Sequence, residues 1–318
     1  MTRQTLCVIA PFYNEERSLD AFYAELRVAL AGLDGLEVRL IFVDDGSTDG
    51  TLAKLRNIVS LDPRVEVLSL SRNFGHQAAL SAGLDAASGD AIVMLDSDLQ
   101  HPPSLIPAMV ACWRQGNDIV SAIRVSTGGA GWLKRASARA FYWLINRLSD
   151  TAIVPGAADF VLLSAVAHHA LLAMPERHRF LRGMVSWIGF RRSFVEYHAS
   201  PRSAGDTKYT WPRMFRFALD AVFSFSTVPI RLASRIGALI ACAGVLYFAF
   251  VLWRYFFNGD FVQGWASLIS VLLIVGGTQL VFIGLIGEYL ARTYEEAKRR
   301  PIYLVRERWP AGPSAERD

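Results

Sequence analysis

Residues 92–103 read IVMLDSDLQHPP: four apolar side chains run straight into Asp96 and Asp98. A short apolar run bounded by turn residues fits a strand buried on both faces, as in a parallel sheet. In open sheets of that kind, ligands bind beyond the carboxyl ends of the strands. Two charges at that end therefore point to a ligand, although the same residues would also serve as a turn with an aspartate capping the next helix.

Working outward, the pattern repeats. LCVIA (Leu6–Ala10) ends in PFYNEE, VRLIFV (Val38–Val43) in DDGSTDGT, VEVLSL (Val65–Leu70) in SRNFGH and AIVML (Ala91–Leu95) in DSDLQ. DIVSAI (Asp118–Ile123) is predicted as a fifth strand. Between the strands, Leu19, Phe22, Leu26, Leu30 and Leu33, then Leu52, Leu55 and Val59, recur at helical spacing, and Gln77–Ala87 reads as a third helix. Such alternation predicts an α/β domain with a mostly parallel sheet and helices on both faces. Four polar motifs then converge on one edge of the sheet.

That edge carries Glu15, Glu16, Asp44, Asp45, Asp96 and Asp98. No G-x-G-x-x-G follows the first strand and no G-x-x-x-x-G-K-[ST] occurs, so neither a dinucleotide fingerprint nor a P-loop is present. Bare carboxylates would repel a phosphate. A hard divalent cation reconciles the two, because Mg2+ binds through one or two carboxylates plus phosphate oxygens.

The chain of 318 residues is 52% hydrophobic, and its mean hydropathy of +0.27 is concentrated late. Ile236–Trp253 and Trp265–Gly287 contain no charged residue. Both are predicted to span a bilayer, against the alternative of two buried core helices. Arg231 and Arg235 precede the first span, and Arg292, Lys298, Arg299 and Arg300 follow the second. The loop between them has Arg254 offset by Asp260. Excess positive charge on both outer flanks predicts that they, and the large N-terminal domain, face the cytoplasm of the inner membrane in a multi-pass arrangement; no signal-peptide pattern contradicts this. With a pI near 9.0 and no nucleic-acid reader motif, the basic clusters are expected to meet lipid headgroups rather than nucleic acid.

The predicted organisation is 1–210 soluble domain, 211–232 juxtamembrane amphipathic helices, 233–257 first span, 258–264 external loop, 265–291 second span and 292–318 cytoplasmic tail. Trp211, Phe215, Ala218, Leu219 and Val222 share one helical face behind Pro212, with Arg213 and Arg216 near the start. This reads as a helix lying in the membrane interface, with a core helix as its rival. In the tail, Pro301–Val305 is strand-like. Cys7, Cys112 and Cys242 match no metal or redox spacing and are expected as reduced thiols.

Taken in order, PFYNEE, VDDGSTDGT, SRNFGHQAALSAGLDAASGD and MLDSDLQHPP resemble family 2 glycosyltransferases of the GT-A fold. The longer segments MPERHRFLRGMVSWIGFRR, SAGDTKYTWPRMFRFALDAVFSFSTVPIRLAS and GLIGEYLARTYEEAKRRPIYLV look like the polyprenyl-phosphate branch. That branch holds dolichol-phosphate mannose synthases and GtrB-type bactoprenol glucosyltransferases. The resemblance implies a Rossmann-like GT-A domain followed by interfacial helices and two transmembrane helices. It further implies that Pro11, Tyr13, Glu15 and Asp45 line a nucleotide pocket, Asp44 being a structural neighbour. Asp96, Asp98 and Gln100 would surround Mg2+ or Mn2+ and the donor diphosphate. Asp159, in GAADF, would lie near the sugar, although Ala157 and Ala158 replace a polar run common in relatives. Arg202 and Lys208 match a basic loop over the diphosphate, and the tail implies a homotetramer.

The reaction so implied joins a nucleotide-diphosphate sugar to a polyprenyl (undecaprenyl) phosphate, giving a polyprenyl-phosphate sugar and a nucleoside diphosphate. A phosphate monoester has a second pKa near ~6, so the nucleophile is already ionised and a dedicated base is less necessary. Holding two anions together requires cations, and Arg124, Lys134, Arg135 and Arg139 follow the fifth strand; the bland alternative is a solvated basic helix face. One displacement inverts the anomeric carbon. UDP-glucose is the first expectation, with GDP-mannose, UDP-N-acetylhexosamine and a modified pentose open. A processive synthase is disfavoured because VRERW (Val305–Trp309) lacks the Gln of Q-x-x-R-W and follows the last span. An inactive adaptor binding nucleotide sugars is disfavoured by the intact carboxylates. None of the histidines is expected to be catalytic; His76 is expected to support the loop, and His101 to stand behind the ligands.

Overall fold

The computed structural model describes residues 3–124, 157–177, 179–197, 228–258 and 264–311. The chain forms two compact units: one takes most of the first 216 residues together with Pro301–Asp318, and the other chiefly Phe217–Arg300.

The first unit begins β1 (Gln4–Phe12), α1 (Leu19–Ala31), β2 (Leu36–Asp44), α2 (Thr51–Leu61), β3 (Val65–Leu70), α3 (His76–Ala86) and β4 (Ala91–Met94). It continues through α4 (Ile106–Arg114), β5 (Ile119–Arg124), β6 (Ala157–Ser164), α5 (Ala165–Leu172), α6 (Leu181–Trp187) and β7 (Arg192–Tyr197), and β8 (Val305–Trp309) returns to it from the tail. The strand order is β7-β5-β6-β4-β1-β2-β3-β8. β1 is central, pairing parallel with β2 and β4, and β2 with β3, so the expected βαβ core is present. β5 and β7 are also parallel, whereas β6 enters antiparallel between β4 and β5. The fifth strand is therefore not a neighbour of the fourth.

The core follows from the sequence periodicities. Leu6, Val8, Ala10 and Phe12 bury one face of β1, against which α1 sets Leu19, Phe22, Leu26 and Leu30. Phe12 meets Phe22 and Phe42 edge-on at 5.6 and 5.3 Å, a geometry that adds about 0.5–1.5 kcal/mol per pair beyond burial. On α3 the buried residues are small: Ala78, Ala79, Ser81, Ala82 and Gly83 accompany Leu80 and Leu84. A Cβ on Gly83 would stand 2.3 Å from Ile9 Cγ2, so α3 lies tightly on β1 and its N-terminus is fixed at the sheet's active edge.

The tail strand forms later than the sequence predicts, at Val305–Trp309 rather than Pro301–Val305. The cause is pairing partners rather than apolarity. Ser71 N–H donates to Leu304 O at 2.8 Å, and Leu70, Ser69, Leu68 and Val67 then pair with Val305, Glu307, Arg308 and Trp309. Arg308 reaches Glu66 at 2.6 Å, Arg56 reaches Glu307 at 2.8 Å, and the Arg56 guanidinium lies 4.5 Å from the Trp309 ring centroid. A charged sequence is usual for an edge strand.

In the second unit, α7 (Val228–Asn258) and α8 (Trp265–Lys298) enclose the two predicted spans. Among the described residues, one window, Ile274–Lys298, is long and apolar enough to cross a membrane, with mean hydropathy 1.5 and none of it buried. Ala233–Tyr247 is a shorter apolar stretch. The predicted amphipathic helix at 211–225 lies outside the described residues.

Candidate active site

The loops that leave β1 and β2 are laced together. Asn14, with φ 55, takes the left-handed conformation that asparagine tolerates; its N–H donates to Ser47 Oγ at 3.0 Å and its Oδ1 accepts from Thr48 N–H at 2.9 Å. Glu15 N–H donates to Thr51 Oγ1 at 2.9 Å, and its carboxylate accepts from the Ser18 hydroxyl. Pro11 is buried, and its carbonyl accepts from Ser97 Oγ at 2.7 Å, tying the β4 loop to the end of β1. Tyr13 stands beside them, 46% exposed.

Asp44 and Asp45 are both buried and both braced. Asp44 accepts from Ser47 N–H at 3.1 Å and from Ser69 Oγ at 3.0 Å. Asp45 accepts from the N–H groups of Phe74 and Gly75 at 2.8 and 2.9 Å, clamping the loop that opens α3. Burial raises the Asp45 pKa despite those two hydrogen bonds. Each of these aspartates thus supports a loop, and for Asp45 this comes in addition to the nucleotide-facing role expected from the sequence.

Beyond β4 the chain turns through Leu99 at φ 61, a left-handed conformation costly for leucine, and this turn leaves the Asp98 side chain exposed. Asp98 Oδ1 accepts from Gln100 N–H at 3.0 Å, and Gln100 is half-buried. Asp96 is enclosed by two imidazoles: His76 Nε2 is 3.1 Å from Oδ1, and His101 Nδ1 is 3.2 Å from Oδ2. The His101 ring is buried against Phe160 and Tyr197. Burial opposes the charge on both Asp96 and His76. The contact between them outweighs it, lowering the Asp96 pKa and raising that of His76.

Asp159 arrives from the antiparallel strand. The register pairs Met94 with Val161, so two residues further on Asp96 and Asp159 stand at one level. His76 Nε2 is 3.8 Å from Asp159 Oδ2, beside both carboxylates. Arg182, in the first turn of α6, grips Asp159 with Nε to Oδ1 and Nη2 to Oδ2, each at 3.1 Å. Gln77 Nε2 lies 3.5 Å from Oδ2, while its Oε1 accepts Leu181 N–H at 3.1 Å.

The structure thus brings together Asp96 and Asp159, with Asp98 exposed at the turn that follows. His76 and His101 stand against Asp96, as supporting groups of the kind expected, and Gln77 and Arg182 are added, which sequence reasoning did not place in the site. His76 had a signal, its position at a strand-end motif; Arg182 lies in the segment MPERHRFLRGMVSWIGFRR that carries the family resemblance, but nothing in that segment assigns it a role. Arg124 closes β5 opposite Tyr197. Lys134, Arg135, Arg139, Arg202 and Lys208 lie outside the described residues. Among the described residues, no three His, Cys, Asp or Glu side chains form a ready metal cage. A hard cation that keeps waters and phosphate oxygens needs only one or two carboxylates, so the chemistry of Asp96 and Asp98 fits one.

Residues 7–164 match the family model described as Glycosyl transferase family 2, and residues 228–293 match the GtrB C-terminal hairpin. An uncharacterized glycosyltransferase of Synechocystis is 41% identical, covering 96% of this chain and 95% of that protein. A prophage bactoprenol glucosyl transferase homolog of Escherichia coli is 39% identical, over 95% and 98% respectively. The crystal structure of glucosyl-3-phosphoglycerate synthase from Mycobacterium tuberculosis, with Mn2+, UDP-glucose and phosphoglyceric acid, superimposes with a TM-score of 0.45 at 21% identity, covering 69% of this chain and 78% of that one. Since the sequence likeness runs almost from end to end, this chain belongs to glycosyltransferase family 2, in the group that carries the GtrB hairpin, and is a glycosyltransferase.

Proposed function

We propose that this glycosyltransferase transfers glucose from UDP-glucose to a polyprenyl phosphate at the cytoplasmic face of a membrane, with inversion at the anomeric carbon. The observation that carries this reading is the likeness to a bactoprenol glucosyl transferase homolog through the C-terminal hairpin as well as the catalytic segment. A hairpin that meets a bilayer suits an acceptor that resides there. The apolar window Ile274–Lys298 supports the membrane location, and the division into soluble domain, interfacial helices and two spans is proposed with it.

The site's charges agree with this reaction. The acceptor phosphate is mostly dianionic at neutral pH, so no side chain has to remove a proton from it. The carboxylate Asp159, committed to Arg182, is suited to accepting hydrogen bonds from donor hydroxyls rather than to proton transfer. Asp98, exposed at the turn, and Asp96 would hold Mg2+ or Mn2+, with Gln100 beside them; the chemistry supplied there is relief of charge on the departing diphosphate. Tyr13, with Pro11, Glu15 and Asp45 around it, would form the nucleotide side. Arg124, Lys134, Arg135 and Arg139 would neutralise the acceptor phosphate, and Arg202 and Lys208 the diphosphate. A homotetramer is part of the same proposal.

The test offers purified protein undecaprenyl phosphate, divalent cation and, separately, radiolabelled UDP-glucose, GDP-mannose and UDP-N-acetylglucosamine. Label from UDP-glucose in the lipid phase, lost in Asp98→Ala, is the expected result. Transfer from another donor would correct the sugar. Nucleotide binding without any transfer would favour an adaptor.

A further inference from the structure

We propose that Arg182 is a positioning residue of the transfer reaction: it fixes the Asp159 carboxylate in the orientation that receives the donor sugar, and Gln77 locks the pair onto α3. The inference rests on the reading that Asp159 faces the sugar.

The geometry argues for it in three steps. First, Arg182 makes two parallel contacts, Nε to Oδ1 and Nη2 to Oδ2, each at 3.1 Å. A fork of this kind fixes the plane of a carboxylate, which a single point charge does not do. Asp159 is only 14% exposed at its side chain, so it has little freedom to turn elsewhere. An ionised carboxylate offers about four lone-pair positions; the fork engages two, and acceptor capacity remains for sugar hydroxyls.

Second, the fork is itself fastened. The residue before Arg182, Leu181, gives its N–H to Gln77 Oε1 at 3.1 Å, and the amide of the same Gln77 approaches Asp159 at 3.5 Å. One glutamine in the first turn of α3 therefore touches both the start of α6 and the carboxylate. Third, the segment is held again at the other end of α3. Arg179 Nη1 is 3.7 Å from Asp85 Oδ1, and Asp85 Oδ2 accepts from Tyr303 OH at 2.8 Å. Helix α3, immobilised against β1 by Gly83, is the rail on which Arg179–Arg182 is mounted.

The experiment is a double-mutant cycle on the full-length protein with Arg182→Ala, Arg182→Lys, Asp159→Asn and Arg182→Ala/Asp159→Asn. Two readouts are taken: kcat/KM for transfer to undecaprenyl phosphate, and the ratio of affinities for UDP-glucose and UDP. Removing a charge-assisted pair should lower kcat/KM about 10- to 100-fold and narrow the affinity ratio, with the affinity for UDP itself unchanged. Arg182→Lys should recover part of the loss, and the double variant should be no worse than Asp159→Asn. Additive losses in the double variant would overturn the proposal, because Arg182 would then act on substrate directly. So would Arg182→Lys at wild-type activity, since the fork would be dispensable. If Arg182→Ala does not fold, the cycle is read with Arg182→Lys by the same criteria. Wild-type protein that binds neither UDP-glucose nor UDP would instead overturn the functional reading, and the inference with it.

Discussion

His76 Nε2 stands 3.1 Å from Asp96 Oδ1 and 3.8 Å from Asp159 Oδ2, so one imidazole at the start of α3 serves carboxylates from two strands that run in opposite directions. Its removal leaves two carboxylates at one level with less to hold them together against their mutual repulsion. His76→Ala is expected to lower transfer about 10-fold or more, in line with the loss of a hydrogen bond to a charged group, in a protein that still melts cooperatively. Steady-state kinetics alongside thermal melting checks this. Unchanged kinetics would mean that the contact is incidental.

How far this site was legible in the sequence depends on which strand is asked. The ends of β1 to β4 could be placed because each is an apolar run followed by polar residues, and parallel βαβ connection then aligns their carboxyl ends. Asp159 could not be placed that way. Its position opposite Asp96 follows from the antiparallel pairing of β4 with β6, and which of two strands so far apart in the chain become neighbours is not legible in either one alone. Arg182 was hidden for a similar reason: the segment around α6 carries the family likeness but no role for this arginine, and its relation to Asp159 exists only after β6 has been inserted. Asp45 shows a second role that its motif does not display: placed in a strand-end motif, it also accepts two backbone N–H groups and so holds the loop that opens α3. The tail strand was misplaced because an edge strand held by Arg56, Glu66 and β3 does not need an apolar run.

That edge strand yields a second prediction. Arg56 packs on Trp309 and pairs with Glu307, both from the tail. Arg56→Ala and Trp309→Ala should each destabilise the catalytic unit by about 1 kcal/mol, and the double variant by less than the sum, because the two share one contact. Thermal melting in detergent of the four proteins gives the coupling directly. Full additivity would show that the cation–π contact contributes nothing.

Asp62 contributes a pH dependence outside the active site. Burial opposes its charge, but hydrogen bonds from Arg64 and Tyr23 outweigh that and hold its pKa at about 2. A carboxyl depressed in the folded state contributes stability above its unfolded pKa, near ~3.9, and loses it as pH falls through the folded value. Asp62→Asn should therefore be less stable than wild type at pH 7, by about 1–3 kcal/mol, and the difference should close between about pH 4 and pH 2. Melting curves across that range test it, and a difference independent of pH would assign the effect to packing.

Cys7 is fully buried in β1, and burial pushes its thiol up to about 12. Since the thiolate is the reactive form, Cys7 should resist alkylation in the native protein and react once the domain is unfolded. Mass spectrometry after iodoacetamide treatment, with and without denaturant, distinguishes the two states. Modification of native Cys7 at the rate of a free thiol would show that β1 opens readily.

The closest backbone approach in the site's scaffold gives the last prediction. Gly83 lies on Ile9 so tightly that a Cβ would come within 2.3 Å of Ile9 Cγ2. Gly83→Ala improves helix propensity by up to about 1 kcal/mol, so propensity alone predicts stabilisation. Overpacking predicts the reverse, typically about 1–3 kcal/mol of destabilisation. The overpacking term should win, because Ile9 sits on the central strand with β2 and β4 on either side and cannot yield. Helix α3 would have to lift off the sheet, carrying His76 and Gln77 with it, so transfer should fall along with stability. Ile9→Ala costs about 2–5 kcal/mol alone but removes the colliding methyl, so Gly83→Ala/Ile9→Ala should be more stable and more active than the sum of the single effects allows. Simple additivity in both readouts would mean that α3 is not seated by this contact, and that another feature sets the position of His76.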